Sequence, residues 1–123
     1  QYGHAAGDAA LREFADQLKL ATPVTGLCAR MGGEEFVVLL PGQDRDSAVR
    51  WADALRVAVM DAPVQSDGAC FDMTVSIGVA NRSGLLAQRL KSADAALYRA
   101  KHAGRNQVQV DDEATAASSP GIG

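Results

Sequence analysis

Two adjacent carboxylates, Glu34 and Glu35, directly follow two glycines in Met31-Gly32-Gly33-Glu34-Glu35-Phe36. The glycines permit a backbone turn that side chains would obstruct, and they let an anion or a base come close to the main chain. Paired acids at such a turn suit a hard cation. Adjacent strand residues point to opposite faces, so the two acids converge only if irregular backbone re-aims one of them. A second chemical pair, Lys101 and Arg105, stands four residues apart at the end of a helical pattern. Attraction to the negative end of the helix dipole, worth about 0.3 to 1 kcal/mol, accounts for these cations with no further role. Asp8 precedes an apolar-periodic run and reads as a helix cap. His4 has no partner at metal-ligand spacing and reads as a loop residue.

The elements that must position these residues follow from periodicity and breakers. Leu11, Phe14, Ala15 and Leu18 recur on one face of a helix expected from about Ala9 to Ala21, stopped by Thr22-Pro23. Leu27 to Met31 and Phe36 to Leu40 read as two strands, the second buried, joined by a hairpin at Gly32-Gly33. Pro41-Gly42 closes the second strand, and a helix is expected from Asp46 or Ser47 with Ala48, Ala52, Leu55 and Val59 inward. Trp51 falls on that helix's surface or at the edge of the core. Val64 to Ala69 reads as a turn-rich link and Cys70 to Ala80 as a strand, in which Gly78 suggests a bulge or a close backbone approach. After a loop at Asn81 to Gly84, a third helix carries Leu86, Leu90, Ala93, Leu97 and Ala100 on one side and ends at Gly104. Gln107 to Val110 reads as the last strand. Residues 1–110 thus form one domain, and 111–123 have too little apolar surface to order and read as a disordered tail.

Composition narrows the function classes. A chain of 123 residues that is 47% hydrophobic can hold one core, and no apolar run approaches the ~20 residues of a membrane span, so no membrane contact is expected. Lys and Arg total 12 against 15 acids, net −3, which gives no long-range attraction for polymeric nucleic acid. Cys28 and Cys70 lie in apolar, strand-like sequence without metal-ligand spacing and read as buried thiols in a reducing, cytoplasmic setting. No signal peptide is visible.

The glycine-acid hexamer resembles the motif of the GGDEF family of diguanylate cyclases, in the variant with Glu as the third motif residue. Three further blocks carry the same resemblance: Gly3-His4-Ala5-Ala6-Gly7-Asp8, Thr74 to Ala80, and Ala93 to Lys101 followed by Gly104-Arg105-Asn106. The resemblance implies an α+β three-layer sandwich, the palm-like nucleotidyl cyclase fold, with a mostly antiparallel central sheet flanked by helices. It also implies condensation of two GTP into cyclic di-GMP with release of pyrophosphate, at two sites facing each other across a homodimer's two-fold axis. Mg²⁺ or Mn²⁺ would be held by Glu35 and Glu34, with Glu34 nearest the attacking hydroxyl. Gly32 and Gly33 would approach the nucleotide, Asp8 would accept the hydrogens of the guanine edge, and Leu11 would pack beside the base. Lys101 and Arg105 would grip the β- and γ-phosphates.

Two departures from the family pattern shape the expectation. The family domain opens with a strand carrying a metal-binding Asp and an Asn for guanine, and this sequence begins at Gln1-Tyr2-Gly3-His4. Weak turnover by these 123 residues alone is expected on that ground, and the alternative reading is a silent module that binds GTP or cyclic di-GMP. The Arg-x-x-Asp inhibition site of many members is replaced by Pro23-Val24-Thr25-Gly26, which has neither residue.

Overall fold

The computed structural model describes residues 3–32 and 35–112. Gln1, Tyr2, Gly33, Glu34 and the expected tail from 113 to 123 lie outside the described residues, as does the side chain of His4. The elements are α1 (Gly3–Ala21), β1 (Leu27–Gly32), β2 (Glu35–Leu39), α2 (Arg45–Met60), β3 (Val64–Ser66), β4 (Ala69–Phe71), β5 (Ile77–Asn81), α3 (Leu86–His102) and β6 (Val108–Asp112). They sort into two units. The first runs to Gln43 and adds Val57–Met73; the second takes Asp44–Arg56 and the chain from Thr74.

In the first unit, α1 begins at Gly3, well before the expected start. Ala5, Ala6, Ala9 and Ala10 are strong helix formers and carry the helix through Gly7. Asp8 is therefore an exposed residue inside the helix, which corrects its reading as a cap, and His4 is helical and not in a loop. Ala6 and Leu18 are buried on the inner face, with Leu11, Phe14 and Ala15 partly covered. The rings of Phe14 and Phe36 meet edge to face at 5.1 Å and 67°. The helix stops as expected: Thr22 turns both its amide and its hydroxyl onto the Leu18 carbonyl, at 2.9 and 2.7 Å. Pro23 cannot continue it, and the Gly26 amide closes a turn onto the Pro23 carbonyl at 2.8 Å.

Strands β1 and β2 pair antiparallel from Leu27↔Leu39 to Gly32↔Glu35, with a bulge between Arg30 and Gly32. Val59 and Val64 are the largest fully buried side chains among the described residues, and β3 lies against α1. Here the expected link is a hairpin. Asp67 and Gly68, at φ 50° and 79°, form the two-residue turn that joins β3 to β4, a dipeptide favoured because both positions are left-handed. Cys28 is half-buried and Cys70 exposed, both free, which corrects their reading as buried thiols. A three-residue hairpin strand such as β4 does not bury both of its faces.

In the second unit, β5 and β6 pair in parallel from Ile77↔Val108 to Asn81↔Asp112. Parallel neighbours need a crossover, and α3 supplies it, packing on both strands over buried Ser92, Ala96 and Ala100. The strand expected over Cys70 to Ala80 is divided: β4 belongs to the β3 ladder, β5 to the β6 ladder, and residues 72–76 to neither. Alternation marks the two faces of extended chain and is silent about its partner. Strand β6 runs on through Asp111 and Asp112, which therefore belong to the domain and not to the tail. The buried Asp112 carboxylate accepts from Arg45 Nε at 2.8 Å, and Asp111 accepts from the Ser92 hydroxyl and from Arg82. Among the described residues six strands thus stand where four were expected, two of the three pairings being antiparallel.

Helix α2 starts at Arg45, one residue past an unanticipated cap. Asp44 Oδ1 accepts the Ser47 amide at 2.8 Å, and the Asp44 carbonyl accepts the Ala48 amide at 3.0 Å. The Ser47 backbone bond, then its side chain, holds the Asp44 carboxyl below its ordinary value of 3.8. Its folded pKa is depressed, so its stabilisation is complete above pH 3.8 and fades as pH falls through the lower folded value. Asp44→Ala is expected to melt slightly earlier than the parent at neutral pH, and the two melting curves should converge in stronger acid. A constant gap across that range would remove the cap assignment.

Candidate functional site

Asp8 and Leu11, one helical turn apart, share a face of α1 and line a groove of about 470 Å³ within the first unit. Arg12 lines it from the same helix, Cys28 and Arg30 from β1, and Phe36 from β2. That volume lies in the range of small-ligand sites. One carboxylate, two guanidiniums and the Lys19 ammonium border an apolar floor, a combination able to take a flat polar ring with an anionic substituent. Arg12 and Phe36 were not anticipated as lining residues. The signal for Arg12 was available, since it follows Asp8 by four and so falls on the same face.

At the tip side of the hairpin, the bulge leaves Met31 without a direct partner and sets Gly32 opposite Glu35. Gly32 has φ 145° and open space where a side chain would stand, so the backbone there is both accessible and of the kind glycine favours. The bulge falls on β1 immediately before the glycines. Glu35 is exposed at the first position of β2. Gly33 and Glu34 lie outside the described residues. Among the described residues no group of three or more His, Cys, Asp or Glu side chains is gathered. Glu35 nevertheless offers hard, solvent-facing oxygens, the donor type of a cation that takes one or two protein carboxylates and fills its other positions with water and phosphate.

Lys101 and Arg105 belong to the second unit. Both are exposed at the end of α3, and among the described residues no carboxylate is paired with either. The helix ends at Ala103 and turns left-handed at Gly104, φ 121°, as its sequence position implied. The Arg105 amide then returns to the Ala100 carbonyl at 2.9 Å, the six-to-one bond of a Schellman end. The Pro23 to Gly26 turn carries no guanidinium or carboxylate, and no helix among the described residues is long and apolar enough to cross a membrane.

The chain belongs to the GGDEF domain family: the family described as "Diguanylate cyclase, GGDEF domain" matches residues 1–107. Diguanylate cyclase DgcM of Escherichia coli K12 is 44% identical over 109 residues, covering 87% of this chain and 26% of that protein. The chain spans less than a third of the length of the curated relatives it matches. The crystal structure of the GGDEF domain of DgcB from Caulobacter crescentus, in complex with c-di-GMP, superposes with a TM-score of 0.85 at 30% identity, covering 89% of this chain and 67% of that one. The active GGEEF domain of a diguanylate cyclase from Vibrio cholerae does so at 0.80 and 27%, covering 90% and 72%. The α+β fold expected from the motifs is therefore the fold of this chain.

Proposed function

We propose that this chain is the catalytic domain of a diguanylate cyclase, joining two GTP molecules into cyclic di-GMP. The observation that carries the reading is the groove in which Asp8 and Leu11 stand on one face of α1, in the same unit as the bulged hairpin. In each half-reaction a 3′-hydroxyl oxygen bonds to the α-phosphorus of the other nucleotide, the bond from that phosphorus to the β-phosphate bridge breaks, the hydroxyl proton leaves, and pyrophosphate departs. Asp8 accepts hydrogens from N1 and N2 of guanine, which adenine does not offer. Leu11 covers the face of the base. Gly32 and Gly33 let the main chain approach the phosphates, and Lys101 and Arg105 take the β- and γ-phosphates. Glu34 stands nearest the attacking hydroxyl and, with Glu35, would hold Mg²⁺ or Mn²⁺. That cation, when bound, offsets charge developing on the phosphates. Two copies related by a two-fold axis bring the nucleotides together. The Vibrio cholerae neighbour, active with the same GGEEF variant, supports turnover, and the Caulobacter complex supports binding of the product.

The test is nucleotide discrimination. Asp8→Ala is expected to weaken GTP binding by roughly 10- to 100-fold, the worth of hydrogen bonds to a charged group, while ATP binding stays as weak as in the parent. Asp8 is exposed in mid-helix, so stability should change by no more than about 0.5 kcal/mol. Unchanged GTP affinity by calorimetric titration would defeat the assignment.

A further inference from the structure

We propose that Arg56 is a positioning residue: from α2 it holds the left-handed turn after α3, and so keeps Arg105 set for nucleotide phosphates. The proposal rests on the phosphate role of Arg105 given above. Helix α3 is followed by three consecutive residues at positive φ, Gly104 at 121°, Arg105 at 61° and Asn106 at 48°. Glycine takes such angles freely, asparagine tolerates them, and an arginine there is unfavourable, so the conformation persists only where surrounding contacts impose it.

Those contacts are present within the second unit. The Arg105 amide donates to the Ala100 carbonyl at 2.9 Å, and the Asn106 amide donates to Ser76 Oγ at 3.1 Å. Arg56 Nη1 donates to Asn106 Oδ1 at 3.0 Å, reaching across 50 residues of sequence. The guanidinium is itself anchored, since its Nε donates to Asp53 Oδ1 at 2.7 Å. An ordinary surface pair of residues three apart leaves both partners in water. Here the Arg56 side chain is 18% exposed against 52% for Asp53, so the arginine is largely enclosed while its acid remains solvated. A covered cation whose second arm ends on the last residue of a strained turn is placed to fix that turn. The exposed Arg105 side chain then starts from a held backbone, which lowers the ordering cost of gripping a ligand.

The test uses the full chain, with Arg56→Gln, Arg105→Ala and the double variant, and titrates each with GTP and with GMP, which lacks the β- and γ-phosphates. Amide hydrogen exchange at Arg105 and Asn106 is followed in parallel. Arg56→Gln should speed exchange at both amides and weaken GTP binding roughly five- to tenfold with GMP unchanged, and the double variant should lose no more than Arg105→Ala alone. Unaltered exchange, equal losses for GMP and GTP, or fully additive losses would each overturn the positioning role. If Arg105→Ala binds GTP as tightly as the parent, the phosphate reading itself fails, and the inference falls with it whatever the exchange rates show.

Discussion

Glu35→Gln is expected to abolish cyclic di-GMP synthesis while leaving the fold intact. Glutamine matches glutamate in shape and removes only its charge. Glu35 is held opposite Gly32 by backbone pairing, and its side chain is exposed, so the ladder does not depend on the carboxylate. The substitution should cost no more than about 0.5 kcal/mol of stability. A neutral carboxamide is a poor ligand for a divalent cation and leaves the phosphates' developing charge unopposed, which places the loss of rate at roughly 10²- to 10³-fold or more. Glu34→Asp, which keeps the charge and shortens its reach, should be milder. The measurement pairs pyrophosphate release with a melting curve for each variant, in the protein that carries the domain. Full activity in Glu35→Gln would reduce the acids to a solvated turn, and a collapse in melting temperature would make them structural.

Gly78→Ala should act in the opposite way, sparing every proposed ligand contact and undermining the scaffold. A Cβ at Gly78 would run into the Ala93 carbonyl and the Leu97 amide, and would lie 2.8 Å from Leu97 Cα. All of these are main-chain atoms of α3, which no rotamer change can clear. The one relief is to move α3 away from β5 and open the packing over Ala96 and Ala100. Overpacking of this kind typically costs 1 to 3 kcal/mol, and obstruction by backbone puts Gly78→Ala at about the upper end of that range. For a domain of this size the melting temperature should fall by ~10 °C or more. A shift smaller than about 2 °C would contradict the close approach of helix and strand.

Legibility in the sequence followed the range of the interactions involved. The glycine-acid hairpin, the helix stop at Thr22-Pro23, the left-handed end at Gly104 and the tight contact at Gly78 are each signalled by residues with few conformational alternatives. The inward faces of the helices were equally plain, with Leu18, Ala52, Leu55, Val59 and Ala100 buried as their spacing implied. Partner choice was much less legible. Val64 to Phe71 contains the Asp67-Gly68 dipeptide that marks a hairpin, yet polar Gln65 and Ser66 hid the strand before it. The extended pattern through Ala80 crosses from one ladder to another without any local break. Asp8 misled because good cap chemistry is irrelevant once alanines upstream keep the helix going. Asp111 and Asp112 resembled a tail because their partners, Arg82, Ser92 and Arg45, are distant in sequence. At the candidate site, Asp8 and Leu11 were foreseen together. Arg12 was signalled by its spacing from Asp8 and passed over, whereas Phe36 and the enclosed guanidinium of Arg56 needed the fold to bring them forward.

The route of the chain through its two units limits how the domain can be taken apart. Residues 44–56 belong with the later chain, whereas 57–73 return to the earlier part. No single scission therefore releases either unit whole. Ending the chain at Gln43 would strip the first unit of Val59 and Val64, its two best-buried valines, and starting at Thr74 would deprive the second of Ala52 and Leu55. Split-protein reporters cut anywhere between these points would have to exchange α2 as a complementing piece. A circular permutant that opens at the exposed Asp67-Gly68 tip would instead keep every helix intact.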